Sequence, residues 1–289
     1  MKAGVVLGRG WTQPGGRPHA EAVALEQAGE AARGATLYVT LEPCAHRSRR
    51  GPACADLVVE AGLARVVAGT ADPDPRTAGQ GLARLREAGI EASHAEDQAA
   101  RASLAGYLAR RVLGRPQVTL KLATSLDGCI ALANGESRWI TGEAARAHAH
   151  RERARADAIL VGGGTLRADA PALDVRLAGL ARRSPKRVVL TRRAAPEGWT
   201  ALPEPTAIAA LEDAQYLLVE GGAGAAASFL AADLVDRLLL YRAPILVGGG
   251  LPALADLGLG SLSGAHGRWQ LEDRRAFAPD TLEIYRRTR

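Results

Sequence analysis

Aromatic residues are scarce in this chain. Phe, Trp and Tyr make up 4% of 289 residues, with a single methionine. Any core must then be filled mainly by Ala, Leu and Val. Cysteine is rare as well, and three is an odd count, poorly suited to a disulfide framework. Spaced Cys with a nearby His reads better as metal or catalytic chemistry. No apolar run approaches the length needed to cross a bilayer. Met1–Leu7 is too short and too weakly apolar for a secretory signal. The expectation is a cytoplasmic protein without a membrane partner. A clustered basic stripe is also missing. Net charge is +6, yet Arg47/Arg49/Arg50 and Arg182/Arg183/Lys186/Arg187 are only short groups. Nucleic acid is therefore not the expected partner. The Arg excess reads as scattered surface charge or as a surface for phosphate-bearing ligands.

What is present is ordinary globular material, 47% hydrophobic and 24% charged, in a chain long enough for two domains. The first part alternates strand patterns (Ala35–Leu41, Ala64–Thr70) with helical ones (His19–Ala32, Pro52–Ala61, Gly79–Ala88). Gly34, Gly62 and Gly89 act as stops. Glu96–Leu113 reads as one closing helix. Gly114-Arg115-Pro116 breaks it, which predicts domains over 1–114 and 115–289. Beyond the break, strands are expected at Val118–Ala123, Ala158–Val161, Arg187–Leu190, Tyr216–Glu220 and Arg237–Tyr241. Helices fit Glu143–Arg155 and Ala225–Ala232, and Arg268–Glu272 with Thr281–Tyr285 alternate like antiparallel strands. Both parts are α/β, an architecture that binds small molecules at strand ends.

The chemistry concentrates first at His19-Ala20-Glu21, which opens a helix after Pro18. Pro43-Cys44 follows the strand Ala35–Leu41, and Cys54 falls in the first turn of the next helix. One His and two Cys fill three positions around zinc and leave the fourth for water. A Cys at a helix start is expected to favour the thiolate that binds metal. Glu21, two residues from His19 and not itself a ligand, is placed to shuttle protons, as in the H-x-E…P-C pattern of zinc deaminases. The bland alternative makes both Cys small core residues.

In the second part, Lys121 sits between apolar neighbours on an expected central strand, either partnered inside or reaching solvent. Gly222-Ala223-Gly224-Ala225-Ala226-Ala227 is a G-x-G-x-x-A turn between strand and helix, and Gly162-Gly163-Gly164-Thr165 is a second strand-end turn. Such turns can present backbone N–H groups to a phosphate. The usual acidic residue about 20 positions on is missing, so this is no Rossmann fingerprint.

The stretches GRGWTQPGGRPHAE, GATLYVTLEPCAH, PCAHRSRRGPAC and DPDPRTAGQGLARLREAGI resemble the deaminase half of the bifunctional deaminase/reductases of riboflavin biosynthesis. VTLKLATSLDGCI, ARADAILVGGGTLRADAPALDVR and LLVEGGAGAAASFLAADLVDRLLLYRAPILVGGG resemble the reductase half. The resemblance implies a cytidine-deaminase-like domain, then a dihydrofolate-reductase-like one. It implies zinc on His19, Cys44 and Cys54, with Glu21 catalytic and His46, Asp72 and Asp74 lining the pyrimidine pocket. For Asp72 and Asp74 plain turn chemistry beside Pro73 and Pro75 is the compatible alternative. It further implies NADPH contacts at Ala123, Trp139, Thr165, Asp169 and Gly222, Ala223, Gly224, Ala225, Ala226, Ala227 and Ser228. Ser137, Arg153, Leu173, Arg176 and Glu220 would hold the phosphorylated substrate, with Lys121 and Glu220 catalytic. By position alone, Arg153 and Arg176 read as solvated surface charge.

Departures from the family pattern accompany the likeness. Only 18 residues precede His19, where family members carry a further helix, a strand and an Asn-Pro segment against the pyrimidine. Thr12, Ala170 and Cys129 stand where His, Asp and a basic residue are common. The segment from Arg176 to Glu220 is short enough to have lost a peripheral strand and helix. Two alternatives follow: a working reductase joined to a non-functional deaminase domain, and a nucleic-acid base deaminase. The second calls for a basic or aromatic surface that the sequence lacks. The expected partner is a small phosphorylated pyrimidine, and a homo-oligomer is compatible with everything above.

Overall fold

The computed structural model describes residues 1–289, and the chain divides into two compact units, Met1–Leu113 and Gly114–Arg289. No helix is long and apolar enough to cross a membrane.

The first unit runs α1 (Ala20–Ala28), β1 (Thr36–Leu41), α2 (Cys54–Glu60), β2 (Arg65–Thr70), α3 (Gln80–Glu87), β3 (Glu91–His94), α4 (Gln98–Ser103) and α5 (Ala105–Leu113). Its three strands are parallel in the order β1-β2-β3. The core is small-residue packing as composition requires: Ala55, Val58, Val66, Ala68, Leu82, Leu85 and Ile90. Two expectations change. The single helix over Glu96–Leu113 is broken at Leu104, between α4 and α5. The Asp97 carboxylate caps α4 by accepting from Ala100 N–H at 2.6 Å, so the helix starts after Asp97. The strand β3, over the polar run Glu91–His94, carried no readable alternation and is formed by pairing with β2.

The second unit runs β4 (Gln117–Thr124), β5 (Cys129–Ala131), α6 (Glu143–Arg153), β6 (Ala158–Gly162), α7 (Gly163–Asp169), β7 (Lys186–Leu190), β8 (Trp199–Leu202), β9 (Tyr216–Val219), α8 (Ala223–Ala231), β10 (Arg237–Arg242), β11 (Leu251–Pro252), β12 (Trp269–Phe277) and β13 (Asp280–Arg287). Eight strands form one sheet in the order β12-β13-β10-β4-β9-β6-β7-β8. β10 through β8 are parallel, and the β12–β13 hairpin adds an antiparallel edge. β5 and β11 make a separate two-stranded ribbon. Arg115 and the Val118 N–H both bind Asp236, pinning the start of β4 to that of β10.

β4 alternates cleanly. Val118, Leu120 and Leu122 are buried on one face, in the cluster that holds Phe229 of α8. Lys121 and Ala123 project from the other face. The cluster on that side joins Ala123 with Leu239, Tyr241 and α6 residues Ala145 and Ala149. Helix α6 buries Ala145, His148, Ala149 and Glu152, the i, i+3, i+4, i+7 spacing of one helical face. Arg153 follows Glu152, at the last turn. A glycine run next to a strand suggested only a turn at Gly162–Thr165, yet α7 starts there. Likewise Ala223 and Gly224, assigned to a loop, open α8.

Phe229 is 0% exposed. Phe229→Ala should therefore lower the unfolding free energy of the second unit by about 3–5 kcal/mol, because few neighbours are large enough to close the void. Urea unfolding of the variant checks this, and an unchanged midpoint would contradict the packing described.

Candidate active sites

In the first unit the chain brings His19, Cys44 and Cys54 together from three element junctions. His19 is the N-cap of α1, Cys44 lies beyond the end of β1, and Cys54 opens α2. The three ligand atoms lie within 4.8 Å of one another. His19 Nδ1 is 3.3 Å from Cys54 Sγ and 3.6 Å from Cys44 Sγ. A tetrahedral zinc with ordinary Zn–N and Zn–S bonds sets N···S edges of about 3.6 Å. The donor set and its spacing thus fit that ion.

Hydrogen bonding from Cys54, and then from His19, pulls the Cys44 thiol down to about 3, although burial opposes this. The Cys54 N–H, the first of its helix, points at Cys44 Sγ at 3.3 Å. The helix start therefore favours a thiolate on Cys44, while Cys54, donating to Cys44 and buried beside Glu21, is pushed up. Glu21 is buried, and desolvation raises its carboxyl above the ordinary range.

His46 is half-buried, its Nδ1 3.4 Å from Thr77 Oγ1. Asp72 accepts from Asp74 N–H at 3.0 Å and from the Tyr107 hydroxyl at 2.7 Å. Asp74 is gripped by Arg76 at 2.6–3.3 Å, and that guanidinium, more than the opposing burial, holds its carboxyl well below the usual range. Turn chemistry accounts for the bonds among Asp72, Asp74 and Arg76, while Tyr107 and Arg111 reach them from α5. Sequence reasoning missed the residue that anchors them. Glu42, 2% exposed, accepts N–H bonds from Gly79 (2.9 Å), Leu82 (3.1 Å) and Asp72 (3.4 Å). One carboxylate beside Pro43-Cys44 thus caps α3 and holds the Asp72 turn. The available signal was an acidic residue in an otherwise apolar strand end.

In the second unit Lys121, Arg153 and Glu220 meet. Arg153 binds both oxygens of Glu220, Nε to Oε1 at 2.7 Å and Nη2 to Oε2 at 2.8 Å. Its Nη1 donates to the Asp174 carbonyl at 3.1 Å. Lys121 Nζ lies 3.9 Å from Glu220 Oε2 and 5.7 Å from the Tyr241 ring centre. Burial pushes the Lys121 ammonium down, against the pull of Glu220. Burial also pushes Glu220 up, but Arg153 and Lys121 outweigh it and leave its carboxyl low. Lys121 is thus the partnered, inward-facing lysine of the two alternatives. Arg153 is not plain solvated surface charge: three of its N–H donors go to Glu220 and the Asp174 carbonyl, and the second N–H of each terminal nitrogen remains for a phosphate.

The remaining expected residues scatter. Thr165 Oγ1 accepts from Gly222 N–H at 3.0 Å, tying α7 to the start of α8. Ala225, Ala226 and Ala227 are buried inside α8, and Ser228 Oγ bonds the Ala225 carbonyl, so these four face the helix and core. The Gly222 N–H is taken by Thr165, and the N–H groups of the first turn, Ala223, Gly224 and Ala225, face the open end of the helix. Leu173, expected at the substrate, is buried against Ile159, Val161 and Leu218. Arg176 is exposed and 3.6 Å from Asp174. Ser137 is half-buried, Asp169 is exposed with its carbonyl bound by Arg138, and Trp139 is 62% exposed under the Arg146 guanidinium. Ala123 packs beside Leu239 and Tyr241.

Comparison with known proteins bears on both units. The family model for the cytidine and deoxycytidylate deaminase zinc-binding region matches residues 2–70, and that for the RibD C-terminal domain matches residues 116–282. The chain belongs to the RibD family. It is 42% identical over 295 residues to the riboflavin biosynthesis protein RibD of Mycobacterium tuberculosis, covering 96% of this chain and 86% of that one. With the Escherichia coli RibD it shares 38% over 330 residues, covering 97% and 89%. Acinetobacter baumannii RibD superposes with a TM-score of 0.86 at 36% identity, covering 98% and 89%. A deaminase/uracil reductase from Thermotoga maritima gives 0.82 at 30%, covering 94% and 86%. A zinc-binding deaminase domain therefore precedes a RibD reductase domain, in an enzyme of riboflavin biosynthesis.

Glu42→Ala would strand three N–H groups and should cost the first unit about 3 kcal/mol. Glu42→Gln, which keeps an acceptor oxygen, should cost less. Denaturant unfolding separates the two, and equal midpoints for Glu42→Ala and wild type would refute the anchoring role.

Proposed function

We propose that the first unit hydrolytically deaminates 2,5-diamino-6-ribosylamino-4(3H)-pyrimidinone 5′-phosphate, and that the second reduces the ribosyl group of the product to ribityl with NADPH. The observation that carries the reading is the His19–Cys44–Cys54 triangle, whose edges suit a tetrahedral zinc, with a buried Glu21 beside it. When bound, zinc supplies Lewis acidity to a water in its fourth position. Glu21, its carboxyl raised by burial, would take a proton from the attacking water and return one to the departing ammonia. His46, Asp72 and Asp74 line the pyrimidine side; Asp72 and Asp74 do so through a turn already held by Glu42, Tyr107 and Arg76.

In the second unit NADPH supplies the hydride. The first turn of α8, Ala223, Gly224 and Ala225, would hold its phosphates through backbone N–H groups, with Thr165 fixing the Gly222 turn ahead of it and Ala226, Ala227 and Ser228 continuing the helix behind it. Ala123, Trp139 and Asp169 would complete its contacts. Lys121, its ammonium weakened by burial, delivers a proton as the sugar ring opens, and Glu220 steadies the resulting charge. Ser137 and Arg176 contact the phosphorylated substrate; Arg153 contributes through Glu220. The protein works in the cytoplasm on small molecules, without nucleic acid or membrane.

Glu21→Gln should lower ammonia release by about 10²–10⁴-fold while the chain still binds zinc. Lys121→Ala should suppress NADPH oxidation and leave ammonia release intact. Zinc content and both rates, measured on one preparation, check these outcomes. Zinc without ammonia release in the wild type would leave the chain a reductase with an idle deaminase domain. Absence of zinc would refute the metal site.

A further inference from the structure

The three metal-ligand segments share a side chain that is not itself a ligand. Arg17 stands two residues before His19, on a turn closed by Gln13 N–H to Pro18 carbonyl (3.0 Å) and Gly16 N–H to Gln13 carbonyl (2.9 Å). Its guanidinium is half-buried and forks. Nη1 donates to the Pro52 carbonyl at 2.7 Å, two residues before Cys54, and Nη2 lies 3.7 Å from Cys44 Sγ. The Cys44 sulfur therefore faces two protein N–H donors, this one and the Cys54 backbone at 3.3 Å. Nothing else on the loop between Cys44 and Cys54 ties it to the His19 segment as directly: Arg47 turns to Asp56, and Arg50 bonds the Gly15 carbonyl at the far end of the same turn.

We propose that Arg17 is a positioning residue for the metal, holding Cys44 and the Pro52 turn in one grip so that the His19, Cys44 and Cys54 donors stand at ligand spacing. The inference rests on the zinc reading given above. The physical case is one of geometry and permanent charge. A guanidinium is always protonated and offers donors in a rigid plane, so it can serve a sulfur and a carbonyl at once. A lysine places one compact charge and reaches both acceptors poorly. The loop from 45 to 53 is closed at its ends by Ala55 N–H to the Cys44 carbonyl at 3.2 Å and is tied to Gly15 by Arg50, so what Arg17 adds is the placement of Cys44 Sγ and the Pro52 turn against His19. Groups one step outside a metal shell set affinity on this ground, at typically 10–100-fold each.

The test uses the full chain. Zinc affinity is measured by competition with a chromophoric chelator for wild type, Arg17→Ala and Arg17→Lys, and each protein is also loaded with cobalt(II) for its thiolate charge-transfer band. The expected result is a loss of roughly 10–100-fold in zinc affinity for Arg17→Ala. Arg17→Lys should recover only part of it, and the cobalt band should move to lower energy as Cys44 loses an N–H donor. Far-UV circular dichroism and the denaturant unfolding of the first unit in the same preparations report that it is folded. Zinc binding by Arg17→Ala within twofold of wild type, or full recovery by Arg17→Lys, overturns the two-point grip while leaving the zinc reading intact. A wild type that takes up no zinc overturns both.

Discussion

A carboxylate placed directly after a parallel strand can be buried only when each of its oxygens is matched, and both units are organised around such a group. Glu42 follows β1 and is matched by backbone N–H groups; Glu220 follows β9 and is matched by cations. The two solutions have different consequences. Neutral amides leave the carboxylate's charge in place and turn it into scaffold, fixing α3 and the Asp72 turn beside the metal loop. Arg153 and Lys121 instead match the charge of Glu220 with charge, so that the cluster stays ionic and titratable in a buried setting. Removing either partner from the second arrangement would leave an uncompensated charge.

Much of this was legible from residues alone. The metal set could be read because each ligand sits at an element junction that its neighbours announce: Pro18 before His19, a β-rich run before Cys44, Pro52 before Cys54. The central strand carrying Lys121 could be read from alternation. What escaped has physical causes. Glycines are poor helix formers, so Gly163-Gly164 gave no hint of α7, which is held by tertiary packing at the end of β6. The stretch Ala225–Ala227 reads as part of a phosphate turn, and its methyl groups also pack into the core. In this chain, poor in aromatics, small residues also do the ordinary work of helix–sheet packing. That Arg153 also grips a carboxylate 67 positions away could not be read from pattern, because nothing local announces the pairing.

The metal site shows a similar limit. Position near a helix start drew attention to Cys54, but it could not show that the first N–H of that helix points at Cys44 Sγ. The ligand identities were a matter of spacing in sequence. The charge distribution among them was a matter of direction in space.

The close approach of α8 to the sheet has a bearing on redesign. A Cβ added at Gly221 would stand 2.6 Å from the Ala225 methyl, and one at Gly162 would stand 3.2 Å from it. Added side chains at Gly164 and Gly224 would meet nothing within 4 Å. A library aimed at altered cofactor preference thus has an uneven map before any screening. Diversity belongs at 164 and 224, while 162, 221 and 225 form a steric keyway whose shape has to be inherited unchanged.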